Sequence, residues 1–181
     1  PITHKSRASY GMHILPAIRG IQAGKEYYSA MVPLRMVART FMFDEETLPA
    51  ELRAQRILNK ARIPEISSYI LKNPHDYVLS ALTASIDGEV EFIPISQEPK
   101  NYNIGWLNIP VSARILVNDG QHRRAAIQAA LRECPDLGDE TIPVVFFIDL
   151  GLKRSQQIFA DLNRYALRPS MSITVLYDHR D

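Results

Sequence analysis

Between Arg114 and Arg132 the chain changes its periodicity at one glycine. Arg114-Ile115-Leu116-Val117 is a short β-forming run and Asn118-Asp119-Gly120 carries turn chemistry. Gln121 to Arg132 is then a helix former rich in alanine, with Ala125, Ala126, Ala129 and Ala130. A strand that passes within three residues into a helix must share one core with it, so an all-helical or all-β chain is excluded. The expected class is α+β, a mixed α/β arrangement of flanking helices on a mixed sheet. Pro143 to Ile148, near-continuously apolar, is expected in the same sheet and buried on both faces.

The remaining elements follow from local signals. From Gly11 to Val32 two apolar segments flank Ala23-Gly24-Lys25, whose glycine supplies the positive φ of a tight N-terminal β-hairpin. Met31 to Phe43 reads as extended chain, with Pro33 at an edge or crossing position. Thr47 caps a helix that holds Pro49, Leu52, Ile57, Leu58 and Ala61. Pro64 opens another, whose Ile66, Tyr69 and Ile70 form one stripe and which Asn73-Pro74 ends. Asp87-Gly88, between Tyr77 to Ile86 and Glu89 to Ile95, predicts a second hairpin. Trp106 to Ile109 predicts a short strand, and Leu152 to Asn163 an amphipathic helix with Ile158, Phe159 and Leu162 inward.

A length of 181 residues suits a single domain over 1–181, in which 1–43 is a basic hairpin and extended part and 44–181 the core. The start at Pro1 and the stop at Asp181, just after an apolar stretch, suggest a fragment of a longer protein. The longest clean apolar run, Ile142 to Ile148, falls far short of the ~20 residues that span a bilayer, so no membrane partner is expected. The lone Cys134 cannot form an internal disulfide, which suits the cytoplasm and excludes a cysteine-rich zinc site. Net charge is +1, yet residues 1–43 hold six Lys and Arg against one Glu. Of 21 cations 15 are Arg, the residue suited to bidentate phosphate contact. This excess is either a solvated face or a phosphate-binding one.

The anomaly lies after Gly120. His122, Arg123 and Arg124 fall in the first turn of the helix, where the positive end of the dipole disfavours each exposed cation by ~0.3–1 kcal/mol. Two readings stay open. The turn cradles a phosphate through its glycine, free N–H groups and clustered cations, or Asp119, Asp149 or Asp161 pairs with the arginines internally. Asn118 or Asp119 is expected to cap the helix, and Asn118 with Gln121 has capping-box spacing. Gly20 to Lys25 lacks P-loop spacing, and no paired carboxylates support a nuclease.

Asp119-Gly120-Gln121-His122-Arg123 resembles the signature of the DGQHR-motif family. Pro16 to Gly24, Tyr27-Tyr28, Val32-Pro33-Leu34 and Ile158 to Asn163 are similar to its DndB branch, which regulates bacterial DNA phosphorothioate (sulfur) modification. The resemblance implies a ParB/sulfiredoxin-like fold whose Gly-x-x-Arg turn holds phosphates. It implies that Gly120 lets the backbone approach an anion, that Arg123 with Arg124 contacts phosphate, and that Gln121 and His122 line the pocket. Asp119 orients the turn or a metal-bound water and is the one catalytic candidate; no metal-ligand set is assigned. Asn163 reaches the same pocket or caps its own helix. Arg35 and Arg39, after Pro33, match a second phosphate-contacting segment and join Arg7 and Arg19 as the expected DNA-binding set. The implied function is a DNA-binding transcriptional regulator acting on the promoter of the modification genes. The alternative is a nucleotide-binding, NTP-hydrolysing domain in phosphorothioation-linked phage defence, using ATP or another nucleotide with Mg. A homo-oligomer is a further expected partner state. On this reading Gly120→Val abolishes anion binding in a chain that stays folded.

Overall fold

The computed structural model describes residues 11–43 and 60–164; Arg7 and the helix expected from Thr47 lie outside them. β1 (Met12–Gln22) and β2 (Lys25–Pro33) form the expected antiparallel hairpin, with Ala17 opposite Ala30. Its two-residue turn places both Ala23 (φ 51°) and Gly24 (φ 71°) in the left-handed region, the turn whose twist matches that of paired strands. α1 (Leu34–Thr40), β3 (Phe41–Met42), α2 (Arg62–Lys72), β4 (Leu82–Asp87) and β5 (Glu91–Pro94) follow. Then come β6 (Ile104–Pro110), β7 (Arg114–Asp119), α3 (Gln121–Glu133), β8 (Thr141–Ile148) and α4 (Ser155–Arg164). The fold is α+β. All eight strands share one mixed sheet in the order β3-β7-β4-β8-β2-β1-β6-β5, with β3–β7 and β4–β8 parallel.

Strand alternation divides this sheet into two faces. Leu15, Ala17, Ala30, Val32, Ile115, Val117, Val144 and Phe146 point to the inner face, where they join Val37 of α1, Ile70 of α2 and Ile127 of α3 in one buried core. Both α1 and α2 pack against α3. The outer face is covered over β7 by α4, where Leu116 and Asn118 are buried. α2 keeps its expected stripe, Ile70 fully buried with Ile66 and Tyr69 partly so, and ends at Asn73, whose amide donates to Tyr69 O at 2.8 Å.

Four expectations are corrected. The stretch after Pro33 is helical, not extended: Leu34, Met36 and Val37 bury one side of a seven-residue helix. Pro33 (φ −58°, ψ 137°) closes β2, an interior strand between β8 and β1, and its fixed φ suits the strand-to-helix corner. Asp87-Gly88 makes no hairpin, because β4 and β5 stand apart with β8, β2, β1 and β6 between them. Gly88 is not left-handed, and the Asp87 carboxylate is held by Arg114 at 2.5 and 2.9 Å and by the Gly151 N–H at 2.6 Å. β8 buries Ile142, Val144 and Phe146 but leaves Pro143, Val145 and Phe147 half-buried, since the outer face is covered over β7 and not across β8. The last helix begins at Ser155 and buries Ile158 and Phe159, while Leu162 faces solvent.

Candidate functional site

β7 delivers Asp119 to the end of the sheet, and Gly120 turns the chain into α3. Gly120 is the N-cap residue at φ 95°, ψ 26°, a left-handed conformation that costs a residue with a Cβ about 1–2 kcal/mol. No side chain caps the helix. Asn118, expected as a cap, is buried: its Oδ1 accepts from Ser85 Oγ at 2.8 Å and its Nδ2 donates to Ser155 O at 3.4 Å. It therefore pins α4 to the sheet, and the capping box with Gln121 does not form. The helical hydrogen bonds begin with the Arg124 N–H, which donates to Gly120 O at 2.9 Å, so the N–H groups before it lie outside the helical ladder.

Arg123 is anchored by its own chain. Its Nη1 donates to Ser80 Oγ at 2.6 Å, and its Nη2 to Ala81 O at 3.1 Å and to Asp119 Oδ2 at 3.4 Å. Its Nε is buried without a partner. A Cβ on Gly120 would stand 2.4 Å from Leu82 Cδ2 and 2.7 Å from Arg123 Nη2. The room beside this glycine is thus filled by Leu82 and Arg123, and Gly120→Val disrupts packing before it tests any ligand. Internal pairing holds for Asp119 and not for the other two acids. Asp149 accepts the Arg154 N–H at 2.8 Å, and Asp161 accepts from Gln157 Nε2 at 2.7 Å. Asn163 Nδ2 donates to Phe159 O in its own helix at 2.8 Å, which leaves Oδ1 as the atom it offers elsewhere.

α1 lies against the same turn. Arg124 Nε donates to Phe41 O at 2.9 Å, and burial pushes its guanidinium below the usual arginine range. Gln128 Nε2 donates to Ala38 O at 3.4 Å. The start of α3 and the end of α1 are thereby tied together. Arg39 is exposed, and its side chain makes no hydrogen bond or ion pair among the described residues. Arg35 pairs with Asp139 on the surface. Both arginines line a cleft of about 450 Å³ whose walls include His13, Leu15, Pro33 and Met36. Burial pushes the His13 imidazole below its ordinary range.

Arg19 belongs elsewhere. Its Nη2 donates to Tyr102 O at 2.6 Å, its Nε to Asn103 Oδ1 at 3.4 Å, and its guanidinium lies 4.7 Å from the centre of the Phe92 ring. It ties β1 to the β5–β6 side, away from the cleft. The structure therefore brings Arg35 and Arg39 together in the cleft beside β1, ties Arg124 of the turn to the end of α1, and leaves Arg19 apart. Ser80, Ala81, Phe41 and Asp139 escaped the sequence analysis, because nothing local marks a partner that lies 43 residues away, as Ser80 does from Arg123. Among the described residues no three His, Cys, Asp or Glu gather to hold a metal ion.

A family model described as DndB, DNA-sulfur modification-associated, matches residues 15–181. The chain belongs to the DndB family. That span takes in the DndB chain's turn, both arginines of α1, Arg19 and Asn163. Membership ties the protein to the DNA sulfur-modification system. No curated protein and no solved structure matches it. Among the described residues no helix of this DndB-family protein is long and apolar enough to cross a membrane.

Proposed function

We propose that this DndB-family chain is a cytoplasmic DNA-binding transcriptional regulator of the phosphorothioate-modification genes, with its phosphate contacts in the arginine-lined cleft between α1 and β1. The observation that carries this reading is Arg39, an exposed cation without an ion partner among the described residues, which shares a cleft with Arg35. Arg35 joins it by exchanging Asp139 for a phosphate oxygen, since an exposed ion pair is worth only about 0–1 kcal/mol. Arg7 and Arg19 complete the proposed set, and Arg19 contributes least because its guanidinium is already engaged.

The test is fluorescence anisotropy on duplex DNA at several salt concentrations. Arg39→Ala is expected to lower the magnitude of the log-affinity against log-salt slope by roughly 0.9, for specific and random duplex alike. Arg19→Ala is expected to change it much less. DNA binding that is absent or independent of salt in the parent protein overturns the reading.

A second reading rests on the uncapped first turn of α3: Gly120 to Arg124 hold the phosphates of ATP or another nucleotide, with Gln121, His122 and Asn163 around them. Asp119 would share a Mg ion with the phosphate oxygens, an ion that needs only one or two carboxylates beside its phosphates. Arg123 must then trade Ser80 and Ala81 for phosphate. In a phosphate-release assay Arg123→Ala abolishes turnover if this reading holds, and leaves the DNA salt slope intact.

A further inference from the structure

We infer that the outer face of the β5-β6-β1-β2 half of the sheet is a self-association surface for a second copy of this chain. Ile14, Ile18, Met31, Ile93, Ile104 and Trp106 all point outward there, with Ile18 59%, Met31 51% and Trp106 47% exposed. Strand register sets them side by side. Ile93 is opposite Trp106 and Trp106 opposite Pro16, while Ile104 is opposite Ile18, Ile18 opposite Ser29, and Ser29 opposite Val145. Met31 in turn lies opposite Pro143. Among the described residues α4 covers β7, beyond β8 and β4, and no helix packs on the outer face of this half.

These six side chains expose on the order of 600 Å², already at the upper end of the largest patch on a typical monomer. With the half-buried Val145 and Phe147 beside them they approach the ~800 Å² per partner that a standard interface buries. The charge pattern favours a copy of the same surface. No charged side chain stands in these rows, and Lys25 and Glu91 lie at their margins, so two identical faces meet without like-charge repulsion. The same lack of cations makes the face unsuited to DNA. The helices α1 and α3 pack on the opposite face, so a two-fold dimer formed here meets each basic cleft only at Ile14, which lines its edge.

Sedimentation equilibrium on the full chain across roughly 1–100 µM tests the surface, with Trp106, the single tryptophan, as a built-in reporter. The expected result is a concentration-dependent shift from one chain mass, 20.5 kDa, to twice that mass, with a blue shift of Trp106 emission over the same range. Met31→Lys and Ile104→Lys, each present twice in a symmetric dimer, are expected to weaken dimerisation at least ~10-fold while far-UV circular dichroism stays unchanged. Ile104→Ser serves as the milder variant should either lysine compromise folding, and the emission shift of the parent protein needs no variant. A monomer throughout the range, or a dimer indifferent to these substitutions, overturns the proposal.

Discussion

Asp119-Gly120 and Asp87-Gly88 are the same dipeptide, each at the end of a strand and each with its carboxylate on an arginine, yet the chain leaves them by different routes. Gly120 is left-handed and launches α3, whereas Gly88 is not left-handed and sends the chain to the far edge of the sheet. The demands on the two glycines also differ. At Gly88 a Cβ would stand 2.6 Å from the Cβ of Ala113, a packing limit alone. At Gly120 the packing limit set by Leu82 is added to a dihedral that L-residues avoid. An Asp-Gly pair therefore permits a tight turn without specifying which one. The choice falls to the residues that follow and to what packs against the absent side chain.

Substitution at the glycines separates these two demands. Gly120→Ala is expected to have the largest effect, about 1–2 kcal/mol from the left-handed dihedral and about 1–3 kcal/mol from overpacking against Leu82. Urea unfolding should therefore show a loss of about 3 kcal/mol, and a loss under about 1 kcal/mol would break the distinction. Gly88→Ala should lose only the overpacking share, about 1–3 kcal/mol, and Ala113→Gly in the same chain should restore it. Trimming Leu82 cannot restore Gly120→Ala in this way, because the dihedral strain stays.

The two arginines extend the comparison at smaller scale. Arg123→Ala removes bonds to Ser80 and Ala81 and is expected to cost about 1–2 kcal/mol in the same unfolding experiment. Arg114→Ala, at an exposed pair, should cost less. The smallest effect concerns acid. The Gly151 N–H and then the Arg114 guanidinium hold the Asp87 carboxyl below its ordinary 3.8. As pH falls below 3.8 the unfolded chain takes up this proton before the folded one, so the stability present above 3.8 is lost toward the lower folded value. Thermal melts of Asp87→Asn from about pH 2 to 5 should lack that increment of acid destabilisation. An unchanged profile would detach Asp87 from the Gly151 loop.

Local chemistry alone determined the elements whose signals are complete within a few residues. The β7-turn-α3 unit is legible because its periodicity changes at Gly120, and the β1–β2 hairpin because Ala23-Gly24 joins two β-forming runs. Membership of the DndB family was legible as well, since the segments that resemble it are spread along the 15–181 span that the family model matches. Tertiary structure decided the rest. Leu34–Thr40 is seven residues long, too short for propensity to hold it against extended chain, and it is helical because Leu34, Met36 and Val37 find the core. Which strands lie beside β4, and that Arg123 is held by Ser80 and Ala81 rather than by Asp149 or Asp161, depend on contacts between distant segments. Such contacts form when the whole sheet closes and its buried polar groups must find partners, a condition that no local run of residues encodes.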